Sequence, residues 1–201
     1  MLFDDTYKTI KTSSEGTYRD KGSKFIAYLY PIKSENEIKD IVSTLKTDHP
    51  KARHHCWAMR LSTDRTIFRI NDDNEPSGTA GKPILNTLLS YELTDVLAVV
   101  VRYFGGTLLG IPGLINAYKS ASIEAINHAD IIEKTVNSTF QINFDYVKMN
   151  EVMKVVKDEE INIFNQEFDL NCTFKVEIRR SLVNKVIERF EKIEGLKWKQ
   201  A

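Results

Sequence analysis

The stretch Val96-Leu97-Ala98-Val99-Val100-Val101 sets six apolar residues in succession before Arg102, Tyr103 and Phe104. A strand with one wet face alternates apolar and polar side chains; a strand apolar at every position is covered on both faces. The run is far too short to span a bilayer, which takes about 20 residues. It therefore predicts a fully buried strand over Val96 to Phe104, and the remaining sequence has to supply its cover.

Several segments do so. Ser23 to Ile32 is rich in aromatic and β-branched residues and reads as a strand, stopped near Pro31. Ser34 and Glu37 have the spacing of a capping box, and Ile38, Ile41, Val42 and Leu45 continue as one helical stripe barred at Pro50. Pro83 suits the first turn of a helix whose apolar side is Ile84, Leu85, Leu88 and Leu89. Pro112 starts another, with Leu114, Tyr118, Ala121 and Ala125 spaced on one side. His54 to Leu61 and Arg65 to Ile70 read as a hairpin around Ser62, Thr63 and Asp64. Period-two alternation then predicts a core face of His55, Trp57, Met59 and Leu61 with Phe68 and Ile70. The other face, His54, Cys56, Ala58 and Arg60 with Arg65, Ile67 and Arg69, is predicted to be basic and low in bulk.

The pattern resets around Asp130 to Lys134, which divides the chain into residues 1–133 and 134–201. In the second part Val136, Phe140, Ile142 and Phe144 alternate with Asn137, Thr139, Gln141 and Asn143. A helix stripe (Met149, Val152, Met153, Val156), two strands, a second helix stripe (Val183, Val186, Ile187, Phe190) and a last strand at Leu196 to Lys199 follow. That order, β-α-β-β-α-β, is the split βαβ arrangement of ferredoxin-like domains. The expected fold class is α+β in two domains.

Three motifs stand in order along the first part: His54-His55-Cys56-Trp57-Ala58, then Asp72-Asp73-Asn74-Glu75-Pro76-Ser77-Gly78-Thr79-Ala80-Gly81-Lys82-Pro83, then Val99 to Gly110 with Arg102-Tyr103-Phe104-Gly105-Gly106. Together they resemble the signature of the IMPACT family, in its bacterial YigZ-type branch. The resemblance covers nearly the whole chain. Asn74 stands where the family usually has glycine, and asparagine also tolerates a left-handed backbone. The resemblance implies an N-terminal domain similar to domain IV of elongation factor G and a C-terminal domain similar to its domain V. It points toward translation, with RNA or the ribosome as partner. Eukaryotic members carry an extra N-terminal partner-binding domain; none is expected ahead of Tyr18, so their kinase-pathway regulation is not carried over.

Composition limits what such a protein does. Lysine plus arginine equals aspartate plus glutamate at 28 each, which argues against coating nucleic acid by global charge but leaves room for a local basic face. Cys56 and Cys172 are the only cysteines and make neither a disulfide framework nor a zinc site. With no basic-then-apolar leader, the reading is a cytoplasmic protein off the membrane. Arg53, His54, Arg60, Arg65, Arg69, Lys82 and Arg102 are the candidate nucleic-acid contacts, because a guanidinium fork grips phosphate oxygens in pairs. Ser77, Gly78, Thr79, Gly81, Gly105 and Gly106 are the candidate phosphate or ligand loop, since small residues before a helix let backbone amides meet an anion. The loop is not a Walker A sequence: Pro76 occupies the first glycine position, and Pro83 follows the lysine. Arg102 is expected to pair with one of Asp72, Asp73 or Glu75. No cofactor, no metal and no catalytic residue is expected, and His54 with Cys56 lacks an orienting third group. The alternative is an enzyme, a hydrolase or phosphate-ligand enzyme, with a pocket between the two glycine-bearing loops. A protein partner through the C-terminal sheet is a further expectation.

Overall fold

In the computed structural model, which describes residues 5–62 and 66–201, the chain opens with β1 (Thr6–Ile10), β2 (Ser14–Asp20), β3 (Ser23–Pro31) and α1 (Glu37–Asp48). It continues with β4 (His54–Leu61), β5 (Ile67–Asn71), α2 (Gly81–Ser90), β6 (Val96–Tyr103), α3 (Gly110–Asn127) and β7 (Ile131–Thr135). The remainder is β8 (Asn137–Asp145), α4 (Met149–Asp158), β9 (Asn162–Glu167), β10 (Asn171–Arg179), α5 (Val183–Glu191) and β11 (Lys197–Gln200). Two compact units result, one of Tyr7–Lys134 and one of Thr135–Ala201 together with Asp5 and Thr6.

The valine run is the middle of the first unit. β6 lies third in a five-stranded antiparallel sheet of order β2-β3-β6-β4-β5. One face packs Phe25, Ala27, Leu29, Cys56, Ala58, Ala98 and Val100 against Ile84 and Leu88 of α2 and Leu114, Ala117, Tyr118 and Ala121 of α3. The other face packs Met59, Leu61, Leu97 and Val99 against Ile38 and Leu45 of α1. Both faces are covered, which is why the strand alternates in nothing. The capping box forms in half: Glu37 Oε1 accepts from the Ser34 amide at 2.9 Å, while the Ser34 hydroxyl takes the Asn36 amide at 3.1 Å.

The hairpin departs from its expected faces. Leu61 pairs with Ile67, Met59 with Arg69, Ala58 with Ile70 and Arg60 with Phe68. Opposed residues of an antiparallel pair share a face, so Arg69 joins Met59 on the α1 side and Phe68 and Ile70 join Arg60 on the other. Phe68 and Ile70 are not core: β5 is an edge strand, and they are 57% and 41% exposed. Arg60 is the reverse, buried in an interior strand, where its guanidinium donates to the Leu93 carbonyl oxygen at 3.1 Å. Arg65, Thr63 and Asp64 lie outside the described residues.

The second unit alternates as its sequence does. Phe140, Ile142 and Phe144 of β8 and Cys172, Phe174, Val176 and Ile178 of β10 are buried with Val152 and Val156 of α4 and Val186 and Phe190 of α5. The strand order is β11-β8-β10-β9, antiparallel throughout. The face away from these helices is polar and half-buried, and there Thr173 Oγ1 donates to Asn143 Oδ1 at 2.8 Å. Asp5 is tied into this unit by a two-pronged bond from Arg179, both distances 2.7 Å, which holds its carboxyl below the usual carboxylate range. No helix among the described residues is long and apolar enough to cross a membrane.

Candidate functional site

The acidic loop between β5 and α2 folds around its own first carboxylate. Asp72 Oδ1 accepts from the backbone amides of Ala80 (3.1 Å) and Gly81 (2.8 Å), and Oδ2 accepts from that of Gly78 (2.9 Å). These are the amides a phosphate cradle would have to offer, and an internal anion already occupies them. Thr79 turns its hydroxyl to the Pro76 carbonyl oxygen at 2.6 Å, and Ser77 is exposed. The Ser77–Gly81 segment is thus a self-capped helix start, and the candidate phosphate loop is corrected to that extent. Asp73 (φ 39°) and Asn74 (φ 67°) take the left-handed backbone that lets the loop turn, the geometry asparagine tolerates. The acids diverge: Asp73 Oδ2 accepts from the His55 amide at 2.6 Å, and Glu75 points inward.

Glu75 is the centre of a buried polar cluster. Its Oε1 accepts from Arg102 at 2.5 Å and from the Tyr118 hydroxyl at 2.8 Å, and His54 Nε2 stands 3.8 Å away. Of the three carboxylates expected as partner for Arg102, Glu75 is the one it meets. The Arg102 guanidinium lies over the rings of Phe25 (5.4 Å) and Phe104 (5.7 Å), and its buried Nε has no hydrogen-bond partner among the described residues. His54 Nδ1 is 2.9 Å from the Asp73 carbonyl oxygen, which can only accept, so that nitrogen carries the proton. Cys56 Sγ sits 3.0 Å from the Asp72 carbonyl oxygen and 3.3 Å from the Tyr118 hydroxyl. Burial pushes the Cys56 thiol well up, away from the thiolate a nucleophile needs. Burial likewise lowers the His55 imidazole on the α1 side of the sheet.

Above this cluster opens a cleft of about 370 Å³. Arg53, His54, Glu75 and Arg102 line it together with Phe104, Leu108, Ile111 and Leu114. Arg53 is exposed, with its guanidinium 5.4 Å from the Phe104 ring centroid. The N-terminal turn of α3 borders the cleft, with no side chain capping it and no acid in its first turn. That leaves its amides and dipole uncompensated, unlike those of α2. Gly105 serves packing: a Cβ there would fall 2.0 Å from the Gly22 carbonyl carbon. Gly106, at φ 90°, needs its positive angle to turn the chain toward α3.

Arg53, His54 and Arg102 therefore meet at one cleft, and Arg60, Arg69 and Lys82 do not join them. Arg60 is buried within the core layer facing α2 and α3. Arg69 Nε pairs with Glu35 Oε2 at 2.7 Å on the α1 side of the sheet. Lys82 lines a separate groove with Asn86, Ile115 and Lys119. Among the described residues, no continuous cationic face runs along the hairpin. Two features escape a reading of the sequence. Tyr118 reads as one more apolar position of α3, though its hydroxyl, alone among Leu114, Ala121 and Ala125, demanded a partner. Leu108 and Ile111, 81% and 58% exposed, flank the glycines with no periodic signal of their own.

Residues 21–126 match the family model of the Impact N-terminal domain. The chain is 35% identical over 172 residues to an IMPACT family member of Haemophilus influenzae, covering 85% of this chain and 82% of that protein. It is 31% identical over 179 residues to the IMPACT family member YvyE of Bacillus subtilis, covering 89% and 82%. It is 32% identical over 158 residues to YigZ of Escherichia coli, covering 78% of each. Among solved structures, a crystal structure of a hypothetical protein superposes with a TM-score of 0.71 at 27% identity, covering 96% of both chains.

Proposed function

The chain belongs to the IMPACT family, and from that premise we propose that it regulates translation by binding RNA or the ribosome, with no chemistry of its own. The observation that carries this reading is the cleft beside α3. An exposed arginine, a histidine and an uncapped helix N-terminus converge there, and the one nearby carboxylate is already bound by Arg102 and Tyr118. Such a site attracts phosphate. The family resemblance implies domains similar to domains IV and V of elongation factor G, and that expectation, an analogy of fold, supports the choice of translation. The groups that might do chemistry are engaged: burial holds Cys56 as a thiol, and Glu75 Oε1 accepts from Arg102 and from Tyr118.

Co-sedimentation with ribosomes across a salt series tests the reading. The protein is expected in the ribosomal pellet at low salt and to leave as salt rises. Arg53→Glu is expected to bring that release to lower salt. Absence from the pellet at low salt, with no binding to RNA, rejects the reading.

A second reading has one observation in its favour. The concave site lies between the acidic loop and the Arg102–Gly106 segment, where an enzyme handling a phosphorylated ligand would keep its pocket. It requires turnover of a phosphorylated compound by the purified protein. A protein contact through the C-terminal sheet would use the polar face of Gln141, Asn143, Thr173 and Lys175.

A further inference from the structure

We propose that the cleft beside α3 is a pocket for one unstacked nucleotide, with its phosphate at Arg53 and the first turn of α3 and its base against Phe104, Leu108 and Ile111. The inference rests on the RNA reading above and narrows it from a phosphate track to a single-nucleotide site.

The dispersal of the cations is the first ground. A protein that follows a duplex needs charges along many successive phosphates. Here Arg60 is buried, Arg69 is tied to Glu35 on the other side of the sheet, and Lys82 belongs to another groove. What remains is local. The cleft, about 370 Å³, falls within the range of small-ligand sites.

Its lining has two characters, as a nucleotide does. On the anion side are the Arg53 guanidinium and the uncapped turn of α3. Arg102 lines the same cleft at 5% exposure, held by Glu75 and lying against the Phe104 ring. On the apolar side are Phe104, Leu108 and Ile111, exposed to 36%, 81% and 58%. Large side chains this open, grouped at the mouth of a cationic cleft, gain by covering a flat ring. A phosphate alone would leave them wet. Stacking against a base is sequence-tolerant, because every base has a π-face.

The same chemistry is available from a free nucleoside monophosphate or from an exposed nucleotide of single-stranded RNA. The test uses the full-length protein and fluorescence anisotropy with two labelled probes, a single-stranded oligouridylate and a fully paired RNA duplex. Wild-type protein is expected to prefer the single strand by about tenfold. Ile111→Glu and Phe104→Ala are each expected to weaken single-strand binding by about tenfold with an unchanged circular-dichroism spectrum, and Phe104→Tyr to retain it. Arg69→Ala, remote from the cleft, is expected to bind as wild type does. Displacement of the oligouridylate by uridine monophosphate assigns the pocket to free nucleotides as well. Cleft-sensitive binding that uridine monophosphate does not displace assigns it to nucleotides within a chain. Equal affinity for duplex and single strand, unaltered by Ile111→Glu and Phe104→Ala, overturns the pocket and leaves the RNA reading standing. Loss of binding to both probes and to ribosomes in the wild-type protein overturns both.

Discussion

Arg102 and Glu75 meet as a buried pair, with side chains 6% and 3% exposed. A buried ion pair is held against a large desolvation cost, so removing one member leaves the other charged and alone. Arg102→Leu is therefore expected to cost about 3–5 kcal/mol in urea unfolding. Adding Glu75→Gln is expected to return part of that loss, because the stranded carboxylate is gone, and a double-mutant cycle measures the coupling. If the two losses simply add, the pair is not what holds these loops together. This pairing was legible in advance because a charged residue ends an otherwise apolar strand, and a buried arginine has to find a carboxylate. Which carboxylate was not legible: Asp72, Asp73 and Glu75 differ only in how the loop turns between them. The left-handed steps at Asp73 and Asn74 send the first acid to the α2 amides and the third inward.

For whole elements, the outcome depended on how many faces were covered. β8 and β10 alternate cleanly because helices cover one face only, and their register follows from the pattern. β4 is interior and covered on both faces, so its alternation carried no information about solvent. Arg60 could then be taken for a surface residue when it is a core one. The hairpin register, Leu61 opposite Ile67, decides which side Arg69 takes, and it depends on a turn whose geometry composition does not dictate. The start of α2 follows a related logic. Small residues before a helix suit an anion, and the anion they suit is Asp72 of the same loop. Asp72→Ala is expected to destabilise the protein by about 2 kcal/mol or more, since one carboxylate satisfies three backbone amides. Asp72→Asn, which keeps one acceptor oxygen, is expected to fall between. Both are read from the urea midpoint at constant slope. A variant with the stability of wild type would mean the amides find other acceptors, and the α2 start would again be open to a ligand.

At the scale of the molecule, the two compact units have separate cores, and each contains one of the two tryptophans, Trp57 in the first and Trp198 in the second. Chains with more than one core commonly depart from a single all-or-none transition. Trp57→Phe leaves Trp198 to report the second unit by fluorescence, and Trp198→Phe leaves Trp57 to report the first. In these backgrounds Phe174→Ala, which empties part of the β8–β10 core, is expected to lower the stability reported by Trp198 by about 3–5 kcal/mol. The stability reported by Trp57 is expected to stay within about 0.5 kcal/mol, as for independent sites. Equal shifts in both reporters would mean that the units unfold as one. The consequence for function follows from where the cleft residues sit. Arg53, His54, Glu75, Arg102 and Phe104 all belong to the unit of Tyr7–Lys134. Loosening the second unit should therefore leave ligand binding at the cleft intact, and any effect of Phe174→Ala on association with the ribosome would have to come from a second contact, through the C-terminal sheet.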